Sequence, residues 1–363
     1  MKILMTYHGK LDINSGAAGS MINIGKNLEN LGVEVDYFTY DNLPQDWDRR
    51  LIHFTFPFFV YKHVRQFRKW DIVDACTGDS WLLGNLKSRE MPKIVIRSSG
   101  LEHLDFERQQ TYGETLSLKT RIIWGGLNLK VVEFGLKSAD HIIALTHPEK
   151  QYIEGKFSIP AENISVLYHA LPLYFRNLPI HEYPAEFKIL YVGLWHERKG
   201  IQYLIEALEM LSEHSDDFSV TLAGVKVEES VILTQISDRL ARRVTIIPSI
   251  EHSCLPQIYL NHSIFVFPSL YEGFGKVLTE AMASGIPIIT TQTGIAAELI
   301  KEGQNGVIIP YRDSQALYQA LVWSINHREK MREYGENAKL LIDRIDFDQF
   351  YQSRIKIYQD LIS

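Results

Sequence analysis

The sequence predicts an α/β protein built from two doubly wound, Rossmann-like domains. Three observations carry this. An apolar run at residues 2–7 leads through a polar loop into an apolar-periodic helix that Gly32 ends, and a second apolar run follows at 33–38. That β-loop-α-β order opens a doubly wound sheet. The same rhythm restarts at residues 187–192, after an irregular, proline-punctuated segment at 172–184 that reads as a linker. Finally, 363 residues, 45% of them hydrophobic, suffice for two ordinary domains with real cores.

In the first half, the loop Gly16-Ala17-Ala18-Gly19 enters the first helix. It is not the Gly-x-Gly-x-x-Gly fingerprint of dinucleotide binding, and no acid is clearly placed for a cofactor ribose. Gly16 and Gly19 admit two readings, a ligand-approaching loop or a tight turn with close packing. Residues 49–70 contain no acid and interleave aromatic with basic side chains. Such a stretch suits peripheral contact with an anionic membrane surface, or a helix that packs its apolar face and keeps its cations wet. Runs at 71–75 and 93–97 read as strands. The second leads into Arg97-Ser98-Ser99-Gly100-Leu101-Glu102-His103. A long helix is expected over 116–137, a strand within 138–146, a helix from Pro148, and a last strand of this half at 164–167.

In the second half, the strand at 187–192 runs into Gly193-Leu194-Trp195-His196-Glu197-Arg198-Lys199-Gly200, with a helix from about 201 to 211. Cations are disfavoured at a helix N-terminus, so Arg198 and Lys199 there call for a functional reason, such as holding an anion. Strands follow at 220–223 and 244–247, then the loop 248–256. The apolar run 264–267 reads as a buried parallel strand. It feeds Glu272-Gly273-Phe274-Gly275-Lys276 and a helix to Ser284, capped by Gly285. A helix N-terminus behind a glycine loop is an anion site, because its first amides lack internal partners and its dipole favours negative charge. Glu272 and Glu280 bracket that loop. Carboxylates repel phosphate but accept well from sugar hydroxyls. A diphosphate with hydroxyl-bearing groups on either side describes a nucleoside diphosphate sugar. Residues 314–362 read as helices, with Tyr351, Ile355, Tyr358 and Ile362 on one face.

The stretch from Pro268-Ser269 through Glu272-Gly273-Phe274-Gly275 and Glu280 to Ala281-Met282-Ala283-Ser284-Gly285-Ile286-Pro287 closely resembles the nucleotide-sugar signature of the retaining glycosyltransferases of family 4, which have the GT-B fold. Gly193 with Arg198-Lys199-Gly200 resembles the family's second signature, although Leu194 stands where many members carry arginine. The resemblance implies two domains facing a cleft, with a C-terminal helix crossing back to the N-terminal domain. The expected division is 1–175 as the acceptor-side domain, 176–345 as the donor domain and 346–363 as the returning helix. It also implies transfer of a sugar from a nucleoside diphosphate sugar to an acceptor hydroxyl with retained configuration, hexosyltransferase-type and without a metal. The cations and the helix N-terminus supply positive potential.

On this reading Lys199 and Arg198 hold the diphosphate and stabilise the leaving group. Backbone groups of Gly273, Phe274, Gly275 and Lys276 cradle phosphate and sugar. Glu272 binds hydroxyls of the transferred sugar and Glu280 the ribose, while Gly16 and Gly19 lie beneath phosphates and sugar. The family's histidine after the fourth strand is replaced by Ser99. His103 is a candidate to take over, with packing as its alternative, and Ser99 and Glu102 are candidate sugar or acceptor contacts. Ile250 and His252 would pass the nucleobase.

The formal net charge of −6 argues against nucleic acid as the main partner. Cys76 and Cys254 have no metal or redox spacing and point to a reducing compartment. The opening residues lack a signal-peptide plan and no apolar run reaches a membrane span. A cytoplasmic protein, at the inner membrane face if residues 49–70 bind there, is therefore expected, with a saccharide or lipid-linked acceptor in glycan synthesis. The rivals are a nucleotide-sugar epimerase on the same fold, a non-catalytic nucleotide-sugar-binding protein, and a nicotinamide dehydrogenase, which the missing fingerprint disfavours.

Overall fold

The computed structural model describes residues 1–13, 16–44, 52–88, 90–111 and 122–363. The described residues form two compact domains, 1–169 together with 347–363, and 170–346.

In the first domain, the strands are β1 (Lys2–Tyr7), β2 (Glu34–Thr39), β3 (Ile72–Cys76), β4 (Lys93–Arg97), β5 (His141–Ala144) and β6 (Ile164–Val166). All pair in parallel, in the order β2-β1-β3-β4-β5-β6. Alternation along the strands builds two cores. Ile3, Met5, Ile72 and Val95 meet Met21, Ile24 and Leu28 of the Gly16–Asn30 helix and Tyr358 of the closing Asp348–Ile362 helix. On the other face, Leu4, Val73, Ala75, Ile94 and Ile96 meet Phe56, Val60 and Val64 of the Ile52–Phe67 helix, along with Val132, Leu136 and Ile153. Apolar residues on both faces are what a buried parallel sheet requires. The chain steps from β1 to β2 on one side and then places β3 on the other. The crevice of this sheet therefore opens at the C-terminal ends of β1 and β3.

Residues 49–51 of the acid-free stretch, residues 116–121 of the long expected helix and the loop residues 14–15 lie outside the described residues. From 123 that expected helix is a π-helical turn, Ile123–Asn128, followed by the helix Leu129–Ser138. The acid-free stretch is less cationic in space than in sequence. Glu90 pairs with Arg68 at 2.7 Å, and Asp36 on β2 pairs with Lys69 at 2.9 Å while accepting from the Trp70 indole. Among the described residues, no helix is long and apolar enough to cross a membrane.

In the second domain, β7 (Phe187–Val192), β8 (Phe218–Ala223), β9 (Val244–Ile247), β10 (Ile264–Phe267), β11 (Ile288–Thr290) and β12 (Val307–Ile308) pair in parallel in the order β12-β11-β10-β7-β8-β9. Here the order reverses between β7 and β10. The proline-rich stretch belongs to this domain from Ala170 onward. Phe175 is buried, its ring 5.8 Å from that of Tyr259, and the His181 imidazole bonds the His262 carbonyl at 2.8 Å.

Candidate active site

The two loops that leave β7 and β10 meet at the reversal point of the second sheet. The first ends in a 3-10 turn, Glu197–Lys199, whose Arg198 amide donates to His196 Nδ1. Gly200 then takes φ +71° and separates the two cations from the Ile201–His214 helix. A side chain at Gly200 would run into the carbonyl oxygen of Pro268. The loops are stitched together, since the Leu270 amide donates to the Arg198 carbonyl at 2.8 Å and the Ser269 hydroxyl oxygen lies 3.1 Å from the same carbonyl.

Across this seam, Lys199 Nζ lies 2.6 Å from Glu272 Oε1, with both side chains largely buried. The same carboxylate oxygen accepts from the Ser269 hydroxyl at 2.6 Å, and the Lys199 ammonium sits over the Phe267 ring. The Glu272 amide donates to Thr293 Oγ1 at 2.7 Å, so a third loop fixes the glutamate backbone. The chain then turns at Gly275, with φ +84°, into the Lys276–Ser284 helix. Among the described residues, no internal group accepts from the Gly275 and Val277 amides, as the first turn of a helix entails. Glu280, one turn in, is buried and accepts from the Tyr259 hydroxyl at 3.2 Å. Burial pushes its carboxyl up, against the pull of Lys276 and Tyr259. Burial likewise pushes Lys276 down. Burial first and Lys276 second push His252, in the 248–256 loop, down.

The structure thus brings Lys199, Glu272, Gly273, Phe274, Gly275, Lys276 and Glu280 together in one domain. Arg198 is exposed beside them and contributes its carbonyl to the seam. His103 is not part of this cluster. It is buried in the first domain with its ring 4.9 Å from Phe157, and burial pushes its pKa down to about 4. A ring so placed stays neutral and packs, so the packing alternative fits it. Gly19 is also closely packed, because a side chain there would meet the Ile13 carbonyl oxygen. Gly16 has open space where a side chain would go. Ser99 is exposed, its hydroxyl 3.4 Å from Cys76 Sγ.

Sequence reasoning named Glu102 but missed His8, Asp79 and the two threonines beside it at the crevice of the first sheet. His8, directly after β1, bonds Asp79, just past β3, with Nδ1 2.7 Å from Oδ1. Thr6 donates to the other Asp79 oxygen at 3.0 Å, and Thr77 to Glu102 Oε1 at 2.9 Å. Their positions at the ends of the two strands flanking the reversal are the signal that would have found them. Among the described residues no group of His, Cys, Asp and Glu could hold a metal ion.

Two Rossmann-like domains, one with an anion-ready loop between paired acidic and basic side chains, define the GT-B class of sugar transferase. Residues 14–173 match the family model described as glycosyltransferase family 4, and residues 179–341 match that of glycosyl transferases group 1. Together these span most of the chain, which belongs to the family 4 type of glycosyltransferases. It is 25% identical to an uncharacterized glycosyltransferase of Methanocaldococcus jannaschii over 93% of both chains. It is also 25% identical to the alpha-D-kanosaminyltransferase of Streptomyces kanamyceticus, over 56% of this chain and 55% of that one. The fold is similar to sucrose-phosphate synthase of Thermosynechococcus elongatus, with TM-score 0.81 and 20% identity, covering 99% of this chain and 98% of that one. It is similar too to HepE of Anabaena, solved with UDP and glucose, with TM-score 0.73 and 20% identity, covering 99% of both.

Proposed function

We propose that the protein is a retaining, metal-independent glycosyltransferase that moves a sugar from a nucleoside diphosphate sugar to a hydroxyl of a saccharide or lipid-linked acceptor. The observation that carries this is the junction of the β7 and β10 loops, where the Lys199–Glu272 pair stands beside the open amides of the Lys276–Ser284 helix. A diphosphate at those amides meets the positive end of the helix. Lys199 and Arg198 stabilise the charge that develops as the diphosphate departs, and Lys199 is already held by Glu272 before it does. Glu272, already holding Lys199, offers its carboxylate to hydroxyls of the transferred sugar. Glu280 serves the ribose, and the Tyr259 bond keeps its buried carboxyl oriented.

HepE has been solved with UDP-glucose, and TarM of S. aureus with UDP and alpha-GlcNAc-glycerol, which makes UDP-sugars the first donors to try. A thermal-shift panel of UDP-, GDP- and ADP-sugars tests the donor, since a ligand that binds only the folded state raises its melting temperature by mass action. No stabilisation by any of them would overturn the reading. Proton NMR of the product's anomeric centre, run with and without a chelator, tests retention and metal independence.

Peripheral membrane contact through residues 49–70 is a separate part of the proposal. Phe58 and Phe67 are each about half exposed there. Because Glu90 and Asp36 already neutralise Arg68 and Lys69, the exposed rings would carry most of the contact. Serine at both positions should abolish sedimentation with anionic liposomes, and unchanged sedimentation would remove this element.

A further inference from the structure

We infer that a groove on the second domain, lined by the loop after β7 and the first turns of the Ile201–His214 helix, binds a small linear diamine or polyamine. The groove encloses about 780 Å³, the size of a small-ligand site. Glu197, in its lining, belongs to the same turn as Arg198 and Lys199, so the groove adjoins the donor junction. Yet none of Lys199, Glu272, Lys276 and Glu280 lines it. Ile201 and Ile205, one helical turn apart, give it an apolar floor, and the Trp195 indole joins them. That indole is pinned. Its N–H donates to Gln235 Oε1 at 3.2 Å, and the Gln235 amide donates to the Val231 carbonyl at 3.1 Å. An aromatic face held in place is ready to receive a cation.

Hydrogen-bonding capacity selects the ligand class. Most donors in the groove are already engaged. Besides Trp195 and Gln235, the Gln202 amide donates to Glu206 Oε1 at 3.1 Å. His196 Nδ1 accepts from the Arg198 amide, which leaves its neutral ring one N–H, at Nε2. The acceptors are open instead. Among the described residues, both carboxylate oxygens of Glu197 and Oε2 of Glu206 have no hydrogen-bond partner. No lysine or arginine lines the groove among the described residues. Lys199, whose charge would oppose a cation, is neutralised by Glu272. Charge and open acceptors therefore both call for an ammonium. Two are called for, because the carboxylates are apart. Glu197 precedes the helix, whereas Glu206 lies five residues past Ile201, about 7.5 Å along the axis. A methylene chain over Ile201 and Ile205, with an ammonium at each end, matches charge and apolar surface in one molecule. The helix dipole favours an acid at Glu197. It accounts neither for Glu206 nor for the pinned indole.

The test uses the full chain without a nucleotide sugar, so it does not depend on the transferase reading. The indole N–H signal of Trp195, assigned by its loss in Trp195→Phe, is followed by NMR while putrescine, cadaverine and spermidine are titrated in. At least one should move it saturably at about 0.02 M salt and bind more weakly at about 0.2 M, because salt screens exposed charges. Butylamine, with one ammonium, should bind more weakly. Butanediol, uncharged, should leave the signal in place. By calorimetry, Glu197→Gln and Glu206→Gln should each weaken the diamine about two- to fivefold, as loss of one exposed ion pair predicts. The double variant should abolish measurable binding. Both glutamates are exposed, so these variants keep the fold, and unchanged melting temperatures check this. If butanediol or methyl glucoside moves the signal as far as the diamines do, the groove takes neutral hydroxyls and the inference is wrong. It is also wrong if diamine affinity survives in the double variant. If a trilysine peptide binds and no free amine does, the groove is a protein-docking surface and the inference again fails.

Discussion

Lys199 and Glu272 hold each other at 2.6 Å, and this sets what their removal should do. An ammonium held by a carboxylate and resting on the Phe267 ring does not have to be reorganised when a diphosphate departs. Lys199→Ala should therefore lower kcat by about 10²–10³, the range found when a fixed charge-stabilising donor is deleted. A change in donor Kd alone, with kcat intact, would make Lys199 a binding residue only. Glu280→Gln keeps the shape and removes the charge, so donor Kd should rise about tenfold with little change in kcat, as loss of one hydrogen bond to a charged group predicts. A third residue, Glu149, gives a pH signature. It is buried, accepts from the Ser98 hydroxyl and the Leu145 amide, and is pushed up to about 7 by burial. Between the ordinary value near 4.5 and 7, the folded state holds a proton that the unfolded state has released. Stability is thus gained as pH falls through that window and lost as it rises, by up to about 1.4 kcal/mol per unit. Denaturant titrations at pH 5.5 and 7.5 should show this slope in the wild type and not in Glu149→Gln; equal slopes would mean that Glu149 titrates normally.

At the scale of elements, the junction of two loops depends on Gly200. Its left-handed φ of +71° costs an L-residue about 1–2 kcal/mol, and the Pro268 carbonyl leaves no room for a side chain. Gly200→Ala should lower stability by at least that amount and pull the Arg198–Leu270 seam apart, reducing activity as well. Gly16→Ala, with open space around it, should leave stability unchanged; lost donor affinity would then mark Gly16 as a ligand contact. Much of this element level was legible in sequence, because local signals agreed. Apolar runs marked strands, and glycines marked the turn before and the cap after the Lys276–Ser284 helix. What was not legible is pairing at a distance. Lys199 finds Glu272 only because β7 and β10 are neighbours, and His8 finds Asp79 only because β1 and β3 are. The acid-free segment looked cationic because Asp36 and Glu90, which neutralise it, lie outside it in the chain. The motif position of His103 left catalysis and packing open, because it says nothing of the Phe157 ring beside it.

At the scale of the whole molecule, the chain leaves the second domain at Asp346 and gives its last helix to the first. The family resemblance implied that return, but the residues that fix it emerge only from the structure. Asp74, fully buried on β3, pairs with Arg97 on β4 and, through its other oxygen, with Arg354 at 2.7 Å and the Tyr358 hydroxyl, both on the closing helix. Arg97 also donates to the Thr6 carbonyl at 3.0 Å. Two neighbouring strands and the distant closing helix therefore converge on one carboxylate. Replacing a partner in a buried ion network leaves the remaining charges uncompensated, at about 3–5 kcal/mol. Asp74→Asn keeps the volume but cannot balance two guanidinium groups. It should loosen the closing helix from the face formed by Ile3, Met5 and Ile72, where Tyr358 is buried. Hydrogen exchange should then speed up along β1, β3, β4 and residues 348–362 while β7 and β10 keep wild-type protection. If the closing helix stays as protected as in the wild type, apolar contact alone holds it and the network is not its anchor. If β7 and β10 lose protection equally, the two domains unfold as one cooperative unit, and Asp74 stabilises the whole chain rather than the domain that contains it.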